Sequence, residues 1–194
     1  VTSLVNILGP AKSVTAVTFK GSEYRTLGAT VSENYQDKYE PFGKYPVNVN
    51  THFTGAIEFQ CGAVITLMSS VEVYRHGHNP IELYGSEGSL VIPDPNTFDG
   101  PVKLYRREWK GEPFKEVPMP FGHSTPSRSI GVADMAKAIE TNRPHRANSD
   151  LALHVLEIIL AFDKSSAAGG KVQLTTTCER PAPLPLGLED GMII

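Results

Sequence analysis

The stretch FTGAIEFQCGAVITLMSSVEVY, residues 53–74, decides the fold class of this 194-residue chain. Apolar or small residues alternate with polar ones over 53–59, and a second alternating run covers 63–74. Alternation with a period of two is typical of strands. Gln60-Cys61-Gly62 forms a tight turn between the runs, so the stretch predicts an antiparallel hairpin whose second strand is long.

The segments around this hairpin complete an α+β pattern. We expect a short helix at 2–8, a long loop at 21–50, and two helices at 127–141 and 149–166. Further strands are predicted at 14–19, 81–84, 90–92, 102–106, 114–117 and 172–174. Strands followed by helices favour an open, mainly antiparallel sheet with helices packed on one face. We therefore expect a single domain over 1–194, with a proline-rich extended tail from about residue 180.

The glycine pair in IELYGSEGSLVIPDPNTFDG, residues 81–100, raises the question of a phosphate-binding loop. Such a loop needs a following helix, whose N-terminal N–H groups face the anion. Ser89, Leu90, Val91 and Ile92 follow Gly88 instead, and they favour a strand. The sequence therefore predicts a hairpin turn here, without a cofactor site.

Composition and charge exclude several function classes. The net charge of −3 argues against a broad nucleic-acid surface. No apolar stretch is long enough to predict a membrane span. Cys61 and Cys178 lack the spacing of a zinc site, which favours a reducing, cytoplasmic setting. Because Val1 stands where a complete gene product would begin with Met, we expect the chain to be a fragment or a processed product.

Four segments together resemble the C-terminal domain of the glucose–fructose oxidoreductase / inositol dehydrogenase / MocA family. They are GAIEFQCGAVITLMSS, IELYGSEGSLVIPDPNTFDGPV, SIGVADMAKAIETNRPHRANSDLALHVLEIILAFDKSS and CERPAPLP, which cover nearly the whole chain in the family's order. The resemblance implies an NAD(P)-dependent oxidoreductase acting on a sugar, polyol or related alcohol. It implies an N-terminal Rossmann domain for NAD or NADP, and a C-terminal domain that shapes the substrate pocket and builds a homo-oligomer.

The family's catalytic segments have no counterpart in this sequence. Neither the dinucleotide fingerprint nor the segment with the catalytic lysine is present, and the second catalytic segment aligns just upstream of Val1. We therefore assign no catalytic and no cofactor-binding residue in this chain. Expressed alone, the chain is expected to bind no NAD(P) and to catalyse nothing.

Candidate substrate-binding residues remain at the ends of predicted elements. His76 is the best match to a family position, Arg75 and His78 flank it, and Arg128 opens the first long predicted helix. An arginine there can hold a hydroxyl or carboxylate by bidentate hydrogen bonds. The alternative is that His76 is a hydrogen-bonded surface residue and that Arg128 pairs with a neighbouring acid.

Two other clusters have less specific interpretations. His76 and His78 would share one face of a strand, but no Cys, Asp or Glu stands nearby to complete a metal site. Arg143, His145 and Arg146 could contact an anion, but the favoured interpretation is a loop between helices that carries solvated charges.

Three functions of different classes stay open. The first is the C-terminal substrate-binding and oligomerisation domain of an NAD(P)-dependent oxidoreductase, whose partners are its own Rossmann domain, a small-molecule substrate and further copies of itself. The second is a non-catalytic dimerisation or small-ligand-binding module of the same fold. The third is an unrelated α+β binding protein. We expect self-association through the sheet, because both faces of the predicted long strand carry apolar residues.

Overall fold

A computed structural model describes residues 1–28, 40–125, 128–189 and 191–193. The helices among them are α1 (Thr2–Leu8), α2 (Ile130–Thr141) and α3 (Ser149–Ala168). The strands are β1 (Ala11–Phe19), β2 (Tyr24–Thr26), β3 (Lys44–Pro46), β4 (His52–Phe59), β5 (Val64–Ser70), β6 (Ile81–Tyr84), β7 (Gly88–Ile92), β8 (Val102–Arg106), β9 (Lys115–Val117) and β10 (Val172–Gln173). Every strand pairing is antiparallel, so the predicted α+β class is confirmed.

The chain divides into two compact units. Unit 1 comprises Val1–Arg75 and Asp150–Arg180, and unit 2 comprises His76–Ser149 and Pro181–Ile194. Unit 1 holds a four-stranded sheet in the order β10-β1-β4-β5 and the small pair β2-β3, whereas unit 2 holds the sheet β6-β7-β8-β9. The strands of the described ranges thus belong to three sheets. The expectation of one domain over 1–194 stays a prediction.

The hairpin predicted from residues 53–74 forms, with Ile57 opposite Ile65. Its second strand is shorter than predicted, because β5 ends at Ser70. The N–H of Val71 donates to the carbonyl of Thr51, and the N–H of Glu72 donates to Ser70 Oγ. The first bond continues the β4–β5 register by one residue, and beyond it the chain leaves the ladder in a bend although Val73 continues the apolar alternation.

Two further predictions of local structure need correction. The predicted loop at 21–50 contains the hairpin β2–β3, in which Arg25 lies opposite Tyr45; residues 29–39 lie outside the described part. The helix predicted from 127 begins at Ile130, because Val132 and Ala133 make the first helical bonds, both to the carbonyl of Ser129. Ser127 itself lies outside the described residues.

The core of unit 1 forms where α1, β1, β4 and α3 contribute fully buried residues. Val5, Val14, Ile57 and Ile158 have no exposed surface. Burying an aliphatic side chain of this size contributes about 1.5–3 kcal/mol. Among the described residues, every buried apolar side chain except Ala138 belongs to unit 1.

Side chains of α3 complete the edge of β1 beyond the short strand β10. Strand β10 pairs only with Ser13 and Val14. Farther along β1, the N–H of Ala16 donates to Ser165 Oγ at 2.8 Å, and the N–H of Thr18 donates to Ser166 Oγ at 3.0 Å. An uncovered edge would offer these N–H groups to other chains. The helix therefore both packs on the sheet and closes this edge.

None of the helices in the described ranges is long and apolar enough to cross a lipid bilayer.

Candidate functional site

The predicted residues His76 and His78 stand side by side on the surface of unit 2. Both are exposed, and their rings stack with centroids 6.3 Å apart and planes 19° apart. The prediction that both residues share one face of a strand is wrong, because β5 ends at Ser70 and neither residue lies on a strand. The bend of residues 71–80 brings the rings together instead. Arg75 is exposed and is the last residue of the first segment of unit 1.

A carboxylate lies close to this histidine pair. Glu82, on β6, accepts hydrogen bonds from the Tyr84 hydroxyl and from Asn79 Nδ2. The Tyr84 bond, then the Asn79 bond, and more weakly the charge of His78 lower the pKa of Glu82. The hydrogen bond with Glu82 raises the pKa of Tyr84. The surface beside His78 therefore combines a fixed carboxylate with imidazole and hydroxyl groups.

Arg128 is the predicted site residue with the most defined surroundings. It lies two residues before the first residue of α2, so its predicted place as the opening residue of the helix is corrected to the loop before it. Its Nη2 donates to Asn96 Oδ1 at 2.9 Å, and its guanidinium lies 5.9 Å from the centre of the Phe98 ring. The side chain is thus oriented by a hydrogen bond and a cation–π contact.

The loop that carries Asn96 and Phe98 is held by its own hydrogen bonds. Asp94 Oδ1 accepts from the N–H of Asn96 at 2.9 Å, and the Asp94 carbonyl accepts from the N–H and hydroxyl of Thr97. Phe98 has a φ of 68°, which is strained for a bulky residue. Such strain persists where surrounding contacts determine it. These contacts within the loop place Asn96 and Phe98 beside Arg128.

Asn96 and Phe98 were not predicted as site residues. The motif Asp94-x-Asn96 does predict an Asx turn. It gives no indication of the partner, because Arg128 stands 32 residues farther along the chain. The described contacts give the histidine pair and Arg128 separate partners.

In the ranges that the structure describes, no group of three or more His, Cys, Asp or Glu side chains is arranged to hold a metal ion.

The predicted basic cluster after α2 is engaged within unit 2. Asp134, on α2, accepts from Arg143 Nη2 at 2.8 Å, from the N–H of Arg146 at 2.8 Å, and from Arg146 Nη1. Burial alone would raise the pKa of Asp134, but the bonds from Arg146 and Arg143 outweigh it and lower that pKa. The two arginines thus fasten the loop after α2 to the helix, and this favours the structural interpretation of the cluster over an anion contact.

The glycine pair is explained by packing. The N–H of Gly85 donates to the carbonyl of Gly88 at 2.8 Å, and Gly88 begins β7. A Cβ atom on Gly88 would lie 2.1 Å from the carbonyl oxygen of Tyr105 on β8, so only glycine allows this approach. The turn belongs to a hairpin and has no helix behind it. These residues do not fit the pyrophosphate of a dinucleotide.

Sequence-level comparisons identify no relative: no family model matches the chain, and no curated protein matches it. Solved structures do match. The apo form of levoglucosan dehydrogenase matches with a TM-score of 0.69 and 19% identity, over 91% of this chain and 50% of that chain. Its complex with NADH and levoglucosan matches with a TM-score of 0.66 and 18% identity, over 90% of this chain and 48% of that chain. An NAD-binding oxidoreductase from Klebsiella pneumoniae matches with a TM-score of 0.67 and 16% identity, over 90% of this chain and 48% of that chain.

This chain spans about half the length of the solved structures it matches. At these identities the likeness concerns the fold. The resemblance noted in the sequence is confirmed at that level: the chain has the α+β fold of the C-terminal half of oxidoreductases of the glucose–fructose oxidoreductase / inositol dehydrogenase / MocA type.

Proposed function

We propose that this chain is the substrate-binding and oligomerisation domain of an NAD(P)-dependent oxidoreductase that acts on a sugar, polyol or related alcohol in the cytoplasm. The observation that carries the proposal is the match of about 90% of the chain to half of a sugar dehydrogenase solved with NADH and levoglucosan. The two free cysteines, Cys61 and Cys178, support a reducing compartment.

The contribution of this chain is to bind and orient the alcohol. Hydride transfer in such enzymes is carried by the nicotinamide cofactor, which we assign to a Rossmann domain of the longer enzyme. Arg128 offers a planar guanidinium that Asn96 and Phe98 have already oriented, and this lowers the entropy lost when it binds a hydroxyl pair or a carboxylate. His76, with Arg75 and His78 beside it, supplies further donors and acceptors for hydroxyl groups.

The open face of the β10-β1-β4-β5 sheet is the surface we assign to oligomerisation. The register places Thr15, Val17 and Phe19 of β1 on the same face as Ala56, Thr54 and His52 of β4. Thr66 and Met68 of β5 lie beside Ala56 and Thr54. On this face Val17, Phe19, Val64 and Met68 are each at least half exposed. Exposed apolar groups on one sheet face are typical of an interface, and a two-fold dimer is the simplest arrangement that covers them.

The oligomer is tested by sedimentation equilibrium with a matched pair of variants. Val17 is 64% exposed on the sheet face and Val132 is 65% exposed on α2. Val17→Glu should shift a micromolar sample from dimer to monomer, since it places a charge in the interface, and Val132→Glu should leave the dimer intact. A wild-type chain that sediments at its monomer mass of 21.1 kDa would contradict the oligomerisation role.

The oxidoreductase role is tested on the longer polypeptide that contains this chain. NADH or NADPH is titrated while nicotinamide fluorescence is followed, and turnover is then assayed with a panel of polyols and sugars that includes levoglucosan. We expect saturable cofactor binding by the longer protein, none by the 194-residue chain, and oxidation of at least one alcohol. Self-association without cofactor binding would favour the non-catalytic module instead.

A further inference from the structure

His154 is a buried histidine whose protonation state is fixed by its partners. It lies on α3 with no exposed surface, in unit 1. The N–H of Ala11 donates to its Nε2 at 2.9 Å, so Nε2 must present a lone pair. The ring proton therefore sits on Nδ1, which lies 2.9 Å from Thr176 Oγ1 and donates to it. The imidazole is neutral and held as a single tautomer.

The hydrogen-bond chain continues from Thr176 to a carboxylate. The Thr176 hydroxyl donates to Glu157 Oε2, and the N–H groups of Thr175 and Thr176 donate to the same carboxylate at 2.9 and 2.8 Å. Burial raises the pKa of Glu157, but the bonds from Thr176 and Thr175 outweigh it and lower that pKa to about 2. The hydrogen bonds of this series all run in the same donor-to-acceptor direction, from Ala11 through His154 and Thr176 to Glu157.

A second proton on His154 has no acceptor in this arrangement. It would occupy Nε2 and point at the N–H of Ala11, so two donors would face each other. Burial accordingly lowers the pKa of His154, although the charge of Glu157 partly opposes this. The other ionisable groups on the neighbouring elements are Lys12 on β1, Glu58 on β4, Asp150, Asp163 and Lys164 on α3, Lys171 before β10, and Cys178, Glu179 and Arg180 after β10. Lys171 is paired with Glu58, and burial, together with Asp150, raises the pKa of the Cys178 thiol and keeps it neutral.

We propose that the chain Ala11–His154–Thr176–Glu157 is an acid-sensitive latch, which fastens the start of β1 and the segment after β10 to α3 and opens when His154 takes up a proton at Nε2. Of the elements that it joins, β10 has the fewest other hydrogen bonds, whereas β1 also pairs with β4 along its length. Strand β10 pairs with only two residues of β1, and Ala11 lies next to the irregularity between Ala11 and Ser13. Elements with few hydrogen bonds open first in native proteins.

The sign of the pH dependence follows from the neutral form. The folded state binds the His154 proton less tightly than the unfolded chain, whose imidazole titrates near about pH 6.5. The stabilising effect of the latch is complete above that pH and declines as the pH falls below it. If the unfolded state binds one proton more than the folded state, the temperature midpoint of unfolding should fall by about 3–5 °C for each pH unit in this window.

Thermal unfolding of the full 194-residue chain between about pH 7.5 and 5 tests the latch. His154→Gln keeps an acceptor for Ala11 and cannot take up the proton, so its midpoint should vary less with pH than that of the wild type. His78→Gln, which removes an exposed imidazole instead, should vary as the wild type does. Equal pH dependence of the wild type and His154→Gln would overturn the proposal.

A measurement on the wild-type chain covers the case in which His154→Gln fails to fold. Nitrogen NMR of labelled histidine should report the Nδ1–H tautomer of His154 near neutral pH and titration below about pH 6.5. The Ala11 amide resonance should shift in the same step, and the protection factors of the amides of residues 172–176, which are corrected for slower intrinsic exchange in acid, should fall. An imidazole that titrates at or above its ordinary pKa without moving the Ala11 resonance would also refute the latch.

Discussion

Unit 1 and unit 2 both contain antiparallel hairpins, but they differ in how completely their side chains are buried. Unit 1 has a closed core around Val14 and Ile158 and satisfies buried polar groups with Ser165 and His154. In unit 2 all five residues of β7 are only half-buried. The predicted recognition residues His76, His78 and Arg128 belong to this more exposed unit. The buried elements of unit 1 supply most of the core, and the exposed loops of unit 2 are the surface to which we assign ligand binding, since binding residues are often carried on loops.

The largest expected difference concerns the cores. Ile158 is 0% exposed on α3 and Ile139 is 77% exposed on α2. Ile158→Ala should lower the free energy of unfolding by about 2–5 kcal/mol, since it leaves a cavity, whereas Ile139→Ala should change it by less than about 0.5 kcal/mol. Urea denaturation measures both. Equal losses in the two variants would show that the core of unit 1 does not dominate stability.

The next prediction concerns Asp134, a strongly buried carboxylate of unit 2. Asp134→Asn removes the charge that pairs with Arg143 and Arg146. Because both arginines keep some contact with water, we expect a loss of about 2–3 kcal/mol, below the range of a fully buried pair. Glu140→Gln, in an exposed pair with Lys137 on the same helix, is the matched control and should be near neutral. A neutral Asp134→Asn would indicate that the loop after α2 is held by other contacts.

A smaller, pH-dependent effect is expected in unit 1 at Glu157. Its pKa of about 2 is below its ordinary value, so its stabilising effect is complete above about pH 4.5 and is lost as the pH falls through about 2. Glu157→Gln should cost about 1–2 kcal/mol near neutral pH, because the carboxylate accepts N–H bonds from Thr175 and Thr176. Acid titration of both proteins should bring their stabilities together. A constant difference down to pH 2 would mean that the carboxylate does not carry the effect.

How much the sequence predicts differs between local and distant contacts. Alternation predicted the hairpins β4–β5 and β6–β7, because both strands and the turn lie within one stretch. The three-residue strands β2 and β3 are too short for a period to be recognised. The end of β5 was missed because Val71 and Val73 continue the alternation past Ser70, where the strand ends.

Local sequence patterns could not predict which residues contact the site residue Arg128 and the latch residue His154. Arg128 meets Asn96 across 32 residues, and His154 meets Ala11 across 143. Such pairs are set by tertiary packing, which neither spacing nor propensity encodes. The sequence therefore gave candidate residues for the site, and the structure supplied the contacts that orient one of them.

Steady-state kinetics of the longer enzyme test the central claim most directly, with the alcohol that it oxidises fastest. Arg128→Ala is expected to change stability by less than about 0.5 kcal/mol, because the side chain is exposed. It should raise KM about tenfold or more, through loss of a charge-assisted hydrogen bond. Arg106→Ala, at another exposed arginine of unit 2, should leave KM unchanged. Wild-type kinetics in Arg128→Ala, or equal losses in both variants, would contradict the assignment of substrate recognition to this surface.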